Sequence, residues 1–306
     1  MAFTSKDVMA LREKTGVGMM DCKKALQESD GDFEKAIDYL REKGLAKQAK
    51  KASRVAAEGM AYATVDYDKK VGVVVEVNSE TDFAAKSDKF VDFVKDIADV
   101  IINANPADVD ALLAADMNGQ TVADVLRDKV MVIGENLSIR RFVRYEGDCV
   151  AYVHGGGRIG VLVKFEADAA ASGSEALIEC GKDIAMQIAA LNAAYLNEAS
   201  VPAEVIEHEK EVQLALIKND PKNASKPEAV LEKMIIGKMR KYFEENCLVN
   251  QAFVKDGNLT VAQYVEQQAK VAGGAMDLVS FVRFEKGEGI EKREDDFASE
   301  VASMMK

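Results

Sequence analysis

The chain has 306 residues, of which 48% are hydrophobic, so it can bury a substantial core and is long enough for two or three domains. Its formal net charge of -12 would repel a polyanion from most of the surface, which disfavours general nucleic-acid binding. The four cysteines form no CxxC pair, the N-terminus has no signal-peptide core, and no apolar run reaches the roughly 18 residues that span a bilayer, so we expect reduced thiols, a cytoplasmic location and no membrane partner.

Residues 4–43 predict three short helices. Thr4 and Asp7 have the spacing of a capping box, and apolar residues then recur at helical intervals. A glycine loop at residues 16–18 and a polar break at residues 30–32 separate the second helix from its neighbours. Three helices joined by short glycine loops resemble ubiquitin-associated domains, which usually dock onto another protein. We therefore assign residues 1–54 to a docking module and its linker.

A basic cluster closes this module, and it has two interpretations. A local patch of this kind could bind nucleic acid, but a run of charges more often forms a solvated linker helix. We prefer the linker helix and predict no nucleic-acid partner. The cluster contains Lys43, Lys47, Lys50, Lys51 and Arg54.

After the linker, the apolar pattern changes to that of strands. Residues 61–65 and 71–77 are rich in β-branched side chains and flank a polar turn, which predicts a hairpin. Beyond it, Ser87 is placed to cap a helix whose apolar stripe contains Phe90, Val94, Ile97 and Ile101. The unit is strand, strand, helix.

The same unit recurs further along the chain. Thr121-Val122-Ala123 matches residues 260–262, and Phe142-Val143-Arg144 matches residues 281–283, in both cases 139 residues later. No gap is needed between the matches, so we predict an α+β fold with a duplicated core of two small antiparallel sheets backed by helices. The predicted core subdomains are residues 55–140, and residues 141–199 together with 247–285.

Two segments have no counterpart in this repeat. Residues 200–246 hold two thin apolar stripes separated by a proline-bounded break, which predicts an inserted antiparallel helical hairpin. Residues 286–306 form a predicted C-terminal module, in which Phe297, Val301 and Met304 lie on one face of a last helix over residues 295–305.

The sequence offers no convincing catalytic, cofactor or metal site. Residues 155–160 satisfy GxGxxG, but the next element is a strand, whereas a dinucleotide loop requires a helix there. No phosphate-binding GxxxxGK[ST] loop exists. Neither His154 nor His208 has neighbours at metal or triad spacing. His154 is as compatible with a structural hydrogen bond as with a partner contact, and we predict no enzyme and no cofactor.

Several stretches together resemble one family. They are residues 11–26, Asn78–Lys86, His154–Val163, Ile133–Asn136 with Arg140-Arg141, and residues 287–292. All are similar to the bacterial elongation factor Ts family, and the similarity spans essentially the whole chain. It implies a non-enzymatic exchange factor that releases GDP from elongation factor Tu without itself binding nucleotide. The resemblance leaves open a homodimer or a two-to-two complex.

The resemblance also implies roles for particular residues. A loop would push between two helices of the GTPase near its magnesium; in it, Ala84 departs from the valine usual in the family. The N-terminal residues would dock on the GTPase domain, residues 133–134 would border the loop contact, and the histidine would touch a second domain of the partner. The hairpin would serve in secondary contacts or self-association, and the final helix would brace the GTPase domain. The loop residues are Thr81, Asp82, Phe83 and Ala84, and the others are Arg12, Met19, Met20, Ile133, Gly134 and His154.

Other interpretations remain at this point. Without the resemblance, Phe83 would be assigned to the core, because large aromatic side chains are usually mostly buried. The three-helix module alone would also suit an adaptor or chaperone-like protein. An enzyme acting on nucleotides is opposed by the missing phosphate loop.

Overall fold

The N-terminal segment is a three-helix bundle in the computed structural model, which describes residues 3–223 and 226–291. The predicted capping box is present: the Thr4 N–H donates to Asp7 Oδ2 at 2.6 Å, and the Asp7 N–H donates to Thr4 Oγ1 at 3.4 Å. The third helix runs on to Lys51, so the basic cluster begins on the bundle itself. The helices are α1 (Ser5–Thr15), α2 (Met19–Glu28) and α3 (Phe33–Lys51).

The first half of the core is a three-stranded antiparallel sheet backed by helices. Its strand order is β1-β2-β5, and the central strand β2 is buried along its whole length because helices cover one face and the second sheet covers the other. The elements are β1 (Glu58–Asp66), β2 (Val71–Ser79), α4 (Asp82–Ala85), α5 (Asp88–Ala104), α6 (Val109–Ala114), β3 (Asp116–Met117), β4 (Gln120–Thr121), α7 (Val122–Ile133) and β5 (Leu137–Glu146).

The second half repeats this arrangement. Its sheet has the order β10-β7-β6, also antiparallel. The elements are β6 (Asp148–His154), β7 (Ile159–Ala167), α8 (Glu175–Leu191), α9 (Ala203–Asn219), α10 (Glu228–Asn246), β8 (Ala252–Phe253), β9 (Asp256–Thr260), α11 (Val261–Ala272) and β10 (Met276–Glu285).

The duplication predicted from the 139-residue offset is confirmed. Helices α7 and α11, and strands β5 and β10, begin and end 139 residues apart. Both helices end at a glycine in the left-handed conformation, Gly134 at φ 87° and Gly273 at φ 72°, where a side chain would be strained. The predicted boundary between residues 140 and 141 falls inside β5, and the domain ranges remain predictions.

The two sheets pack face to face through a core of mostly small side chains. Gly72 and Gly160 permit the close approach: a Cβ on Gly72 would lie 2.7 Å from the Leu162 side chain, and one on Gly160 would lie 2.9 Å from the Ala61 carbonyl oxygen. Helices α5 and α7 cover the outer face of the first sheet, and α8 and α11 cover that of the second. The core residues between the sheets are Ala61, Ala63, Val74, Cys149, Leu162 and Phe284.

The inserted pair α9 and α10 forms the predicted helical hairpin. Along the two helices only Ile217 and Met239 are buried, while Leu216 and Ile236 are exposed, as the thin apolar stripe indicated. No helix in the described ranges is long and apolar enough to cross a membrane. The predicted last helix at residues 295–305 lies outside the described residues.

A buried carboxylate attaches the segment after β10 to the first sheet. Glu76 on β2 is fully buried and accepts hydrogen bonds from Arg140 Nη1 at 3.0 Å, Arg141 Nε at 2.6 Å and the Gly287 N–H at 2.7 Å. The Arg140 Nη2 also donates to the Glu288 carbonyl at 2.6 Å. The start of the C-terminal module is thereby fixed against the N-terminal half of the core.

Candidate protein-docking site

An aromatic side chain projects from the connection between β2 and α5. Phe83 is 85% exposed, more than any other large apolar side chain among the described residues. Its assignment to the core, which its residue type alone favoured, is therefore wrong. Large aromatic side chains are usually mostly buried, so a phenylalanine left this exposed is a candidate contact residue.

The direction of Phe83 follows from the single helical turn α4. Thr81 caps this turn, because its Oγ1 accepts the Ala84 N–H at 3.2 Å. Ala84 and Ala85 then face the core with exposures of 8% and 6%, which leaves Phe83 on the outer side. The small side chain of Ala84 thus belongs to the inner face of the turn.

A negative charge lies beside the projecting ring. Lys86 Nζ donates to Asp82 Oδ2 at 2.6 Å, and this bond lowers the pKa of the Asp82 carboxyl below its usual value. Asp82 is therefore ionised at neutral pH. The tip of the loop combines an apolar ring with a carboxylate that is only partly neutralised, since its side chain remains 44% exposed.

The base of the loop is bonded to the connection between α7 and β5. The Thr81 N–H donates to Glu135 Oε2 at 3.0 Å, and Thr81 Oγ1 donates to Glu135 Oε1 at 2.6 Å. The Asn136 N–H donates to Glu80 Oε1 at 2.6 Å. The structure thus brings Thr81 next to the predicted pair Ile133 and Gly134, of which Ile133 packs against the core and Gly134 is exposed.

The N-terminal bundle reaches the same place through its linker. Lys51 Nζ donates to the Gly134 carbonyl, and Asn136 Nδ2 donates to the Arg54 carbonyl at 2.9 Å. Further along the contact, Gly44 of α3 lies against the side chain of Met131 on α7. The bundle is therefore attached to the core beside the projecting loop.

The bundle also presents the predicted docking residues to solvent. At the start of α2, Met19 is 39% exposed and Met20 is 73% exposed, and Arg12 on α1 is exposed as well. The bundle contacts the core through α3, the linker and Gly16 of the α1–α2 connection, and these three side chains are left exposed. Their role in docking stays a prediction.

His154 lies in the other half of the core, at the end of β6. It is exposed and shares a 3.0 Å hydrogen bond between its Nδ1 and the Tyr152 hydroxyl, so both interpretations of this histidine remain. The three glycines that follow, with φ of 59°, 64° and 96°, turn the chain from β6 into β7. A strand on each side confirms a hairpin turn rather than a dinucleotide loop.

Two acidic residues of this site were missed by sequence reasoning. Glu80 and Glu135 occur in the stretches that carry the family resemblance, but they act on residues 56 and 54 positions away, which no local pattern reveals. Aligning the two halves would have drawn attention to Glu135, because its counterpart 139 residues later, Gly274, has no side chain. In the described ranges, no cluster of three histidine, cysteine or acidic residues could hold a metal ion.

Comparison with known proteins gives a consistent result. The family profile described as "Elongation factor TS" matches residues 80–288. A relative from Clostridium perfringens (strain 13 / Type A), named elongation factor Ts, is 48% identical over 305 residues and covers 98% of each chain. A relative of the same name from Trichlorobacter lovleyi is 47% identical, over 99% of this chain and 98% of its own length. Another from Clostridioides difficile is 48% identical, over 99% of each chain.

Proposed function

Because the chain belongs to the elongation factor Ts family of translation elongation factors, we propose that it is the guanine-nucleotide exchange factor of elongation factor Tu and that the Phe83 loop promotes GDP release. The observation that carries the second part is the 85% exposure of Phe83 on a turn fixed at its base. An adaptor would need a docking surface but no such projecting group.

The thermodynamics of exchange require no chemistry from this chain. A factor releases GDP only by binding the emptied GTPase more tightly than the filled one. The coupling is reciprocal. If binding of the exchange factor lowers the affinity of the GTPase for nucleotide by a given ratio, binding of nucleotide lowers its affinity for the exchange factor by the same ratio. Incoming GTP therefore expels the exchange factor. In this proposal the factor acts without a covalent step and without a cofactor of its own. It acts in the cytoplasm, where translation takes place.

The loop is suited to disturb a packed site from outside. Packed helices switch between discrete arrangements, so a ring inserted between two of them moves one by a definite step. Magnesium demands near-ideal octahedral geometry, which a small displacement spoils. In this proposal Phe83 enters between two helices of the GTPase near its magnesium and phosphate site, and the Asp82 carboxylate enters with it.

The remaining predicted contacts surround this action. Met19 and Met20, with Arg12, dock the bundle on the GTPase domain, and methionine is a side chain that adapts well to such surfaces. Ile133 and Gly134 border the loop contact. His154 touches a second domain of the partner, so that the factor holds the GTPase at two separated places.

The test is the rate of GDP release from elongation factor Tu, followed with a fluorescent GDP in a stopped-flow instrument. The unmodified chain should accelerate release, and Phe83→Ala should reduce that acceleration by roughly thirtyfold or more, since a central aromatic in an interface contributes about 2 kcal/mol or more. Val271→Ala is the matched control, because Val271 is 72% exposed on α11 in the other half.

Two outcomes would count against the proposal. Release that the unmodified chain does not accelerate would indicate an adaptor instead of an exchange factor. Release that is equally fast with Phe83→Ala and with the unmodified chain would remove the loop from the mechanism while leaving exchange itself in place.

A further inference from the structure

The two halves of the core contain two versions of the same loop. In the first half, residues 80–86 join β2 to Ser87, which caps α5; in the second, residues 168–173 join β7 to Ser174, which caps α8. The side chain of the first residue of each loop accepts a backbone N–H from the residue just before β5 or β10. Glu80 accepts that of Asn136 at 2.6 Å, and Asp168 accepts that of Ala275 at 2.8 Å. The scaffold is therefore common, and differences between the loops are informative.

The second loop is closed by its own first residue. Asp168 Oδ1 accepts the N–H groups of Ala170 and Ala171, each at 3.0 Å, and Ala171 is fully buried. The hydrogen bond from the Ala275 N–H, together with those from Ala171 and Ala170, lowers the pKa of Asp168. The N–H groups at the start of this short loop are bonded within the loop itself, so the loop packs against the core and presents no large side chain.

The first loop is held from outside instead. It is one residue longer, its Glu80 carboxylate is engaged by Asn136 and faces Arg54 at 3.5 Å, and the N–H of Thr81 is bound by Glu135. The carboxylate that orders the turn thus comes from the α7–β5 connection. In this arrangement the loop projects and carries Phe83 on its outer side.

In the second half, Asp168 leaves no room for a side chain at the position that corresponds to Glu135. The counterpart of Glu135 in the second half is Gly274, and a Cβ on Gly274 would lie 2.2 Å from Asp168 Oδ1. Asp168 Oδ1 and a side chain at position 274 cannot occupy the same space. The glutamate is present where the loop projects and is replaced by glycine where the loop is closed.

We propose that Glu135 is a positioning residue that holds the Phe83 loop in its projecting shape. Its two oxygens fix both the N–H and the hydroxyl of Thr81. Because the O–H donates to Glu135, the lone pairs of Thr81 Oγ1 are free to accept the Ala84 N–H that starts α4. A helix of one turn cannot sustain itself without such a cap, so Glu135 sets the direction in which Phe83 points.

The loop-order test does not depend on the function of the chain. The sequence contains no tryptophan, so Phe83→Trp supplies a single indole at the tip of the loop in the full-length protein. Adding Glu135→Ala should lower the residual time-resolved anisotropy of this indole about twofold, and Glu135→Gln, which keeps one acceptor oxygen, should give an intermediate value. Asp168→Asn is the matched control and should leave it unchanged. Equal anisotropy with and without Glu135→Ala overturns the proposal.

The activity test rests on the proposed function and is read separately. Glu135→Ala should lower the maximal rate constant of GDP release from elongation factor Tu by about tenfold, since a displaced group loses much of its effect, with less than about a twofold change in the half-saturating concentration. In the Phe83→Ala background it should add nothing, because both changes remove the same action. Independent, additive losses would overturn positioning through Phe83. Lowered anisotropy with no effect of Phe83→Ala on release would support positioning and refute the exchange role of the loop.

Discussion

The buried carboxylate of Glu76 accepts hydrogen bonds from two other segments of the chain. Arg140 and Arg141 reach it from the neighbouring strand β5, and the Gly287 N–H reaches it from beyond β10. Arg141 also lies over the Phe284 ring at 4.2 Å. A charge in the interior is tolerated only when it is paired and fully hydrogen-bonded, and this one is.

Glu76→Gln should therefore destabilise the protein by about 2 kcal/mol or more, because it weakens several charge-assisted hydrogen bonds and removes the buried negative charge that both arginines face. Urea unfolding followed by circular dichroism measures the loss. Glu146→Gln removes a carboxylate paired with Arg144 on the surface, where its side chain is 70% exposed, and should leave the unfolding midpoint unchanged. Equal effects of the two changes would contradict the role assigned to Glu76.

The thiols make a second prediction for single side chains. All four cysteines are buried, and burial raises the pKa of Cys149 to about 11 and that of Cys180 to about 12, because the thiolate loses its hydration. At pH 8 both stay protonated and unreactive in the folded protein. An aromatic disulfide reagent should therefore label no cysteine rapidly in buffer and all four in urea. A thiol that reacts within seconds in buffer would disprove this.

Between the two sheets, the spacing depends on glycine in the strands. Gly160→Ala would press a methyl group onto the Ala61 backbone and should cost about 1–3 kcal/mol, the usual range for overpacking a core. Gly237 lies on the exposed side of α10 with open space around it, and Gly237→Ala should stabilise by about 0.4–1 kcal/mol. Thermal unfolding of both variants compares the sites directly. A harmless Gly160→Ala would mean that the sheets can separate freely.

The sequence predicts those elements whose signal is periodic or repeated. The 139-residue offset identified α7 with α11 and β5 with β10 because no residue is inserted between the matched motifs. The projection of Phe83 could not be derived from its residue type, since the same aromatic is usually buried; the family resemblance supplied it. The bond from Thr81 to Glu135 joins residues 54 apart, and only the packing of α7 beside the loop brings them together.

Removal of residues 1–54 tests how the bundle contributes to the complete protein. The bundle has its own core around Leu11 and Leu26, so the sheets should stay folded, although Met131 and Val132 on α7 lose their cover. Affinity for elongation factor Tu should fall, by about tenfold if docking contributes 1.4 kcal/mol. Calorimetry gives the affinity and circular dichroism the fold. Undiminished affinity after truncation would refute the docking role of the bundle.

The bond between Gly287 and Glu76 also bears on how the protein matures on the ribosome. The two residues are 211 positions apart, which corresponds to about 10 to 40 seconds of synthesis at the usual 5–20 residues per second. Arg140 and Arg141 are made 64 and 65 residues after Glu76, so in the later part of that interval the Glu76 carboxylate has both arginines but lacks the Gly287 N–H. The hydrogen bonds to Glu76 are thus completed only when residue 287 has been made, well after β5 completes the first sheet, and nascent chains cut short before residue 287 should be easier for proteases to open.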